Sequence, residues 1–281
     1  MRDELKGKFQ TLTRILAETG GVVVAYSGGV DSTLLLRVAH DVLGERALAV
    51  TASSDTYPDH EVEAAIRLAQ QLGIRLRAIH TEELENEEFA ANPPERCYFC
   101  KHELFGKLVE IAQEENLPVV ADGATVDDTG DFRPGSRAAA ELGVRSPLRE
   151  AGLTKDDIRE LSRELGLPTW DKPSFACLAS RFPYGDRITR EELLKVSAAE
   201  QLLRDLGLRQ FRVRNHGPVA RIEVEEEDIA RVAQPELRAR IVAEFRRVGY
   251  LYIALDLEGY RTGSMNAPLG QDARAKARRD R

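Results

Sequence analysis

Two rhythms of apolar residues run through the first part of the chain. Phe9, Leu12, Ile15 and Leu16 return at helical spacing across 6–18, until Gly20 and Gly21 stop them. The β-branched run 22–26 then reads as a short buried strand. Helical periodicity comes back at 32–43, 59–72 and 101–115, and strands are predicted at 47–52, 74–80 and 117–121. Thr154 and Asp157 have the spacing of a capping pair, which opens a further helix to 165. Strands alternating with helices of this length predict right-handed crossovers and an α/β fold built on a doubly wound parallel sheet.

Past the middle of the chain the pattern changes. A long helix over 190–206 follows Thr189, and strands at 211–214 and 220–224 flank the turn His216–Gly217–Pro218. A helix over 236–248 and a strand over 250–255 close a smaller α+β unit. The Pro- and Gly-bearing stretch 182–186 is the expected boundary. The organisation expected is a first domain over 1–185, a second over 186–265, and a disordered basic tail over 266–281.

Composition narrows the class. Hydrophobic residues make up 42% of the 281 and charged residues 31%, a balance that disfavours disorder and fibrous repeats. Apolar runs such as 21–26 are far shorter than the roughly 20 residues a membrane helix needs, and no secretory segment is visible, so a cytoplasmic location is expected. With 40 basic against 47 acidic residues, the net charge of −7 argues against nucleic acid as a broad partner. Three cysteines cannot close a disulfide framework and read as thiols or metal ligands.

The most informative segment is Tyr26-Ser27-Gly28-Gly29-Val30-Asp31-Ser32. It follows a predicted strand and opens a predicted helix, where backbone N–H groups converge on an anion. Gly28 and Gly29 let the main chain approach phosphate oxygens. Ser27 and Ser32 offer hydroxyls, and Asp31 suits a Mg²⁺ that screens phosphate charge. The loop is not Gly-x-x-x-x-Gly-Lys-Ser/Thr, because the lysine is missing. Thr51 and Gly123 stand at predicted strand ends, where a doubly wound sheet places ligand contacts.

Cys97 and Cys100 form a Cys-x-x-Cys pair, and Cys177 stands alone in Lys172-Pro173-Ser174-Phe175-Ala176-Cys177-Leu178-Ala179-Ser180-Arg181. Three thiolates suit three irons of a 4Fe-4S cluster and leave the fourth without a protein ligand, open to sulfide. Zinc with His102 as fourth ligand and a Cys97–Cys100 dithiol with Cys177 acting alone are compatible with the same residues. Arg212 and Arg214 alternate on a predicted strand, so their guanidinium groups share a face suited to a phosphate monoester. A solvated face paired to Glu223 or Glu225 is the competing reading. Arg181 is assigned either to charge at an activated carboxyl or to a surface ion pair. Trp170 and Tyr184 suit either an aromatic substrate ring or core packing.

The Ser27–Ser32 loop resembles the PP-loop of the ATP pyrophosphatases, whose fold is that of the adenine nucleotide alpha hydrolases. That resemblance implies cleavage of ATP between the α and β phosphates, with AMP passed to an acceptor oxygen. The segment Asp122–Asp128 resembles a superfamily Asp-Gly-Thr-Asn-x-Asp-Asp element, from which Ala124 and Thr125 depart. Taken with Arg96-Cys97-x-x-Cys100-Lys101 and the long motif ending Arg181-x-Pro183-Tyr184-Gly185, the chain resembles the LarE family of sulfur transferases in nickel-pincer nucleotide biosynthesis, over nearly its whole length to about residue 265. The resemblance implies adenylation of the carboxylates of pyridinium-3,5-dicarboxylic acid mononucleotide and their conversion to thiocarboxylates. It is to the three-cysteine, 4Fe-4S branch, with sulfur from an external donor, rather than to the branch that sacrifices one cysteine. It further implies phosphate binding by Ser180, Arg212 and Arg214, and offers Glu200, Glu223 and Asp228 as metal contacts, although single acids among many read first as solvated or ion-paired side chains. The second domain would bind substrate or mediate assembly into homo-oligomers.

Other functions fit parts of the sequence. A tRNA thiolase combines this loop with three cysteines but needs a basic RNA surface. An ammonia-using synthetase of the NAD or GMP type leaves the cysteines unexplained. A nucleotide-binding iron–sulfur sensor would use both features without turnover and release no pyrophosphate.

Overall fold

The structure, a computed structural model, describes residues 2–130 and 134–261. The tail expected over 266–281 and the last residues of the second expected domain lie outside the described residues. In chain order the first elements are α1 (Asp3–Thr19), β1 (Val22–Ala25), α2 (Val30–Leu43), β2 (Ala47–Ser53), α3 (Asp59–Gln71) and β3 (Leu76–His80). Then come α4 (Glu87–Ala90), α5 (Arg96–Glu114), β4 (Val119–Ala121), α6 (Gly135–Glu141), α7 (Pro147–Glu150) and α8 (Lys155–Glu164). The chain continues with α9 (Arg190–Asp205), β5 (Phe211–His216), β6 (Val219–Val224), α10 (Glu226–Val232), α11 (Pro235–Arg247) and β7 (Tyr252–Leu255).

The chain divides into two compact units. Among the described residues, one spans the chain up to Glu83 and from Glu95 to Phe175; the other comprises Leu84–Pro94 and the chain from Ala176 to Arg261. The first is organised on a four-stranded sheet in the order β3-β2-β1-β4, with every pair parallel. Val22 and Val24 turn into one apolar cluster with Leu12, Leu16 and Leu35, whereas Val23 turns into another with Phe105 and Leu108. A strand buried on both faces has no polar side to show, which is why 22–24 is a continuous β-branched run. The doubly wound α/β arrangement expected from the sequence is present. Its strand order reverses between β1 and β4, and the crevice beyond those two carboxyl ends is where such sheets bind ligands.

Helix α8 opens with a capping box. Thr154 Oγ1 accepts from Asp157 N, and Asp157 Oδ2 accepts from Thr154 N, both at 3.2 Å. Helix α5 starts at Arg96, five residues before the start expected at Lys101, so the Cys-x-x-Cys pair lies in its first two turns rather than in a loop. The Pro93–Pro94 pair bars an earlier start, and Glu95 takes the N-cap position.

The second unit has a three-stranded sheet, β5-β6-β7, antiparallel in the first pair and parallel in the second. His216 faces Val219 across a turn whose Gly217 has φ +61°, a backbone state that favours glycine. Val213, Ile222, Leu203, Ile241 and Phe245 close the core of this unit. Segment 84–94 belongs to it through Asn92. That fully buried side chain donates to the carbonyls of Pro183 (2.7 Å) and Asp186 (3.0 Å), and the Asn92 backbone carbonyl accepts from Gly185 N. Among the described residues, no helix is long and apolar enough to cross a membrane.

Candidate functional site

Beyond β1 the chain turns sharply at Gly28, whose φ is +66° and whose missing side chain makes room for Ala65 of α3. A Cβ there would stand 2.7 Å from the Ala65 Cβ. Gly29 is the N-cap of α2, so Val30, Asp31 and Ser32 form its first turn and their amides face the loop. The hydroxyls of Ser27 and Ser32 lie 3.1 Å apart, and Gly29 N donates to Ser27 Oγ at 3.4 Å. Two hydroxyls, a helix N-terminus and an open glycine backbone make this an anion cradle. Tyr26, just before it, has its phenol pushed up by burial.

Gly123 leaves β4 against this same turn. A Cβ on it would lie 3.2 Å from Ser32 N, so the glycine lets the second strand end approach the loop. Thr51 is buried on β2. Residues expected at one ligand site, Ser27–Ser32 and Gly123, are therefore together at the switch point. Three charged residues that the sequence reading did not assign join them. Lys155 at the start of α8 pairs with Asp31, while its backbone N donates to Asp127 Oδ2 at 2.7 Å. Lys172 Nζ donates to the Gly28 carbonyl and to Glu61. The loop that lacks its own lysine is thus flanked by two that come from far along the chain.

Cys97 and Cys100 sit three residues apart in the first two turns of α5, so their side chains leave one helix face. Cys97 is exposed; the Cys100 thiol points to Glu83 Oε1 at 3.6 Å, and that buried carboxylate also accepts from Thr81 Oγ1. His102, the residue of the zinc reading, packs its ring 5.7 Å from that of Tyr98. Among the described residues, no group of three or more His, Cys, Asp or Glu side chains is placed to hold a metal ion. Trp170 is 41% exposed rather than packed in the core, and its carbonyl accepts from Arg159.

In the second unit Cys177 caps a short turn, Leu178–Arg181. Arg181 has no solvent exposure, so its ion pair is not a surface one. Its Nη1 donates to the carbonyls of Ala176 (2.7 Å) and Cys177 (3.1 Å) and to Ser180 Oγ (2.8 Å). The other edge of the guanidinium meets Glu200, whose Oε1 also accepts from Val213 N at 3.0 Å. Arg214 donates to Ser180 O at 3.0 Å and to Glu223 at 2.6 Å. Arg212 and Arg214 share a face of β5 as expected, but it is buried rather than solvated. Arg212 stacks on Tyr260 at 5.0 Å, and burial, with the charge of Arg181 next, pushes its guanidinium down to about 10. Crowded, desolvated positive charge is what a bound dianion relieves. Asp228 is ion-paired with Arg231 at 3.2 Å.

Comparison with known proteins fits this geometry. The NAD synthase family matches residues 7–96, the stretch that carries β1 and the loop. Over 94% of this chain and 96% of its own length, a protein of Lactiplantibacillus plantarum is 39% identical; it is a pyridinium-3,5-bisthiocarboxylic acid mononucleotide synthase. The chain belongs to the LarE family. It is an ATP-dependent sulfurtransferase of the PP-loop type. An uncharacterized protein of Synechocystis sp. is 46% identical over 94% of this chain and 99% of its own length. Another, from Methanocaldococcus jannaschii, is 29% identical over 93% of this chain and 96% of its own length. The arginine group around Ser180 carries charge suited to a phosphorylated substrate.

Proposed function

We propose that the chain activates the carboxylates of pyridinium-3,5-dicarboxylic acid mononucleotide with ATP and converts them to thiocarboxylates, for synthesis of a nickel-pincer nucleotide. The observation that carries this reading is the arginine group at the Cys177 turn, where Arg181 binds the carbonyl of the thiol-bearing residue and Arg214 binds that of Ser180. It supports a phosphorylated substrate beside a sulfur-handling cysteine, and the bisthiocarboxylic acid named for the Lactiplantibacillus relative supports the identity of that substrate.

In this reading Ser27–Ser32 cradle the β and γ phosphates, Asp31 takes Mg²⁺, and Thr51 and Gly123 line the nucleotide. A substrate carboxylate oxygen attacks the α phosphorus, and the bond to the bridging oxygen breaks with release of pyrophosphate. The acyl carbon of the resulting adenylate is attacked by hydrosulfide from an external donor. AMP leaves with the C–O bonding pair, and the sulfur proton passes to solvent. Adenylation is needed because a carboxylate oxygen is a poor leaving group and AMP a good one. Ser180, Arg212 and Arg214 hold the mononucleotide phosphate.

The thiols Cys97, Cys100 and Cys177 would hold a 4Fe-4S cluster. Their chemistry fits, since cysteine thiolate is the ligand such clusters take and two of the three share a helix face. When bound, a cluster with three protein ligands supplies one iron open to sulfide. Residues 186–265 would form the substrate-binding and self-association domain of a homo-oligomer. The test is an anaerobic assay with ATP, the dicarboxylic mononucleotide and sulfide. Equal yields of AMP, pyrophosphate and thiocarboxylate are expected, together with about four iron per chain. One zinc per chain, or pyrophosphate release that needs tRNA instead, would overturn the reading.

A further inference from the structure

Lys172 grips the anion loop from outside. Its Nζ lies 3.1 Å from the Gly28 carbonyl oxygen and 2.9 Å from Glu61 Oε2. Glu61 and Ala65 are one turn apart on α3, hence on one face, and Ala65 is the residue over which Gly28 folds. That face of α3 therefore supports the Gly28 peptide twice, once by contact and once through the lysine. A trans peptide points its C=O and the following N–H in opposite directions. With the Gly28 oxygen drawn to Lys172, the Gly29 N–H is turned the other way, towards Ser27 Oγ and the pair of hydroxyls it makes with Ser32.

We propose that Lys172, anchored by Glu61, is a positioning residue for the ATP reaction. It sets the plane of the Gly28–Gly29 peptide so that the Gly29 N–H is aimed at the nucleotide phosphates. The two residues act through the backbone, and the ammonium itself stays on the carbonyl and the carboxylate. This rests on the reading of Ser27–Ser32 as the ATP loop.

The experiment measures binding of ATP and of inorganic pyrophosphate to the full chain, alongside ligand-free thermal unfolding. Failure of the unaltered chain to bind either ligand would sink the loop reading itself. Given that binding, K172M and E61Q are each expected to weaken both ligands about ten-fold, the loss of one charge-assisted hydrogen bond. The double variant should be no worse than either single one, because both act on one peptide. K172R keeps a cationic donor for the Gly28 carbonyl and Glu61 and should recover most of the affinity that K172M loses. Unchanged affinity in K172M would overturn the proposal. So would E61Q binding normally while K172M weakens, since that marks a direct phosphate contact. A fall in ligand-free Tm matching the loss of affinity in E61Q would mark a merely structural role and reject it as well. Should K172M not fold, E61Q and K172R decide the matter.

Discussion

Arg181 and Glu200 meet through two parallel hydrogen bonds, Nε to Oε1 and Nη2 to Oε2, each 2.8 Å, with almost no solvent at either side chain. The same arginine carries the carbonyls of Ala176 and Cys177, and the same carboxylate carries Val213 N. Glu200 thereby ties the turn that follows Cys177 to β5.

Removing one partner of such a pair strands the other as a buried charge. Glu200→Ala is expected to destabilise the chain by about 3–5 kcal/mol, measured by denaturant unfolding. Glu200→Gln keeps a hydrogen-bond acceptor and should lose less. A cost below about 1 kcal/mol for the alanine variant would mean the pair behaves as an exposed one.

The two glycines of the loop are expected to respond differently. Gly28→Ala forces a Cβ to 2.7 Å from Ala65 at a positive φ, and should cost about 1–3 kcal/mol of stability as well as ATP affinity. Gly29 has φ −82°, and a Cβ there meets Ser27 Oγ alone, at 3.3 Å. Gly29→Ala should leave the ligand-free Tm unchanged and weaken ATP alone. Equal Tm losses in the two variants would contradict this.

Acid should weaken the first unit through Asp157. Burial pushes this carboxyl up, but bonds from Lys8 and Thr154 outweigh it and leave it below its ordinary value. A group whose pKa is lower in the folded state adds stability above its unfolded pKa, about 4, and loses that stability as pH falls through the folded value. Asp157→Asn should therefore be less stable than the unaltered chain at pH 7, with the gap closing below about pH 4. A gap that is constant with pH would show that the charge plays no part.

Much of this was legible in the residues. A β-branched run before Ser27-Gly28-Gly29 fixes a buried strand and an open turn, and Thr154 and Thr189 mark helix starts by the side chains that cap them. Lys155, Lys172 and Glu61 carry no such mark, because their place at the loop comes from strand order and helix packing rather than from spacing. Helices as short as Glu87–Ala90 and Pro147–Glu150 complete about one turn, too little for a period to show. The alternation of Arg212 and Arg214 gave their shared face. It did not give their burial, which depends on how Glu200, Glu223 and Tyr260 surround them.

The most direct test of the account is the Cys177→Ala chain, supplied anaerobically with ATP, the dicarboxylic mononucleotide and sulfide. Pyrophosphate should still be released as the carboxylate is adenylated, and no thiocarboxylate should form. Thiocarboxylate at the yield of the unaltered chain would contradict the assignment of Cys177 to the thiols at which sulfide is delivered.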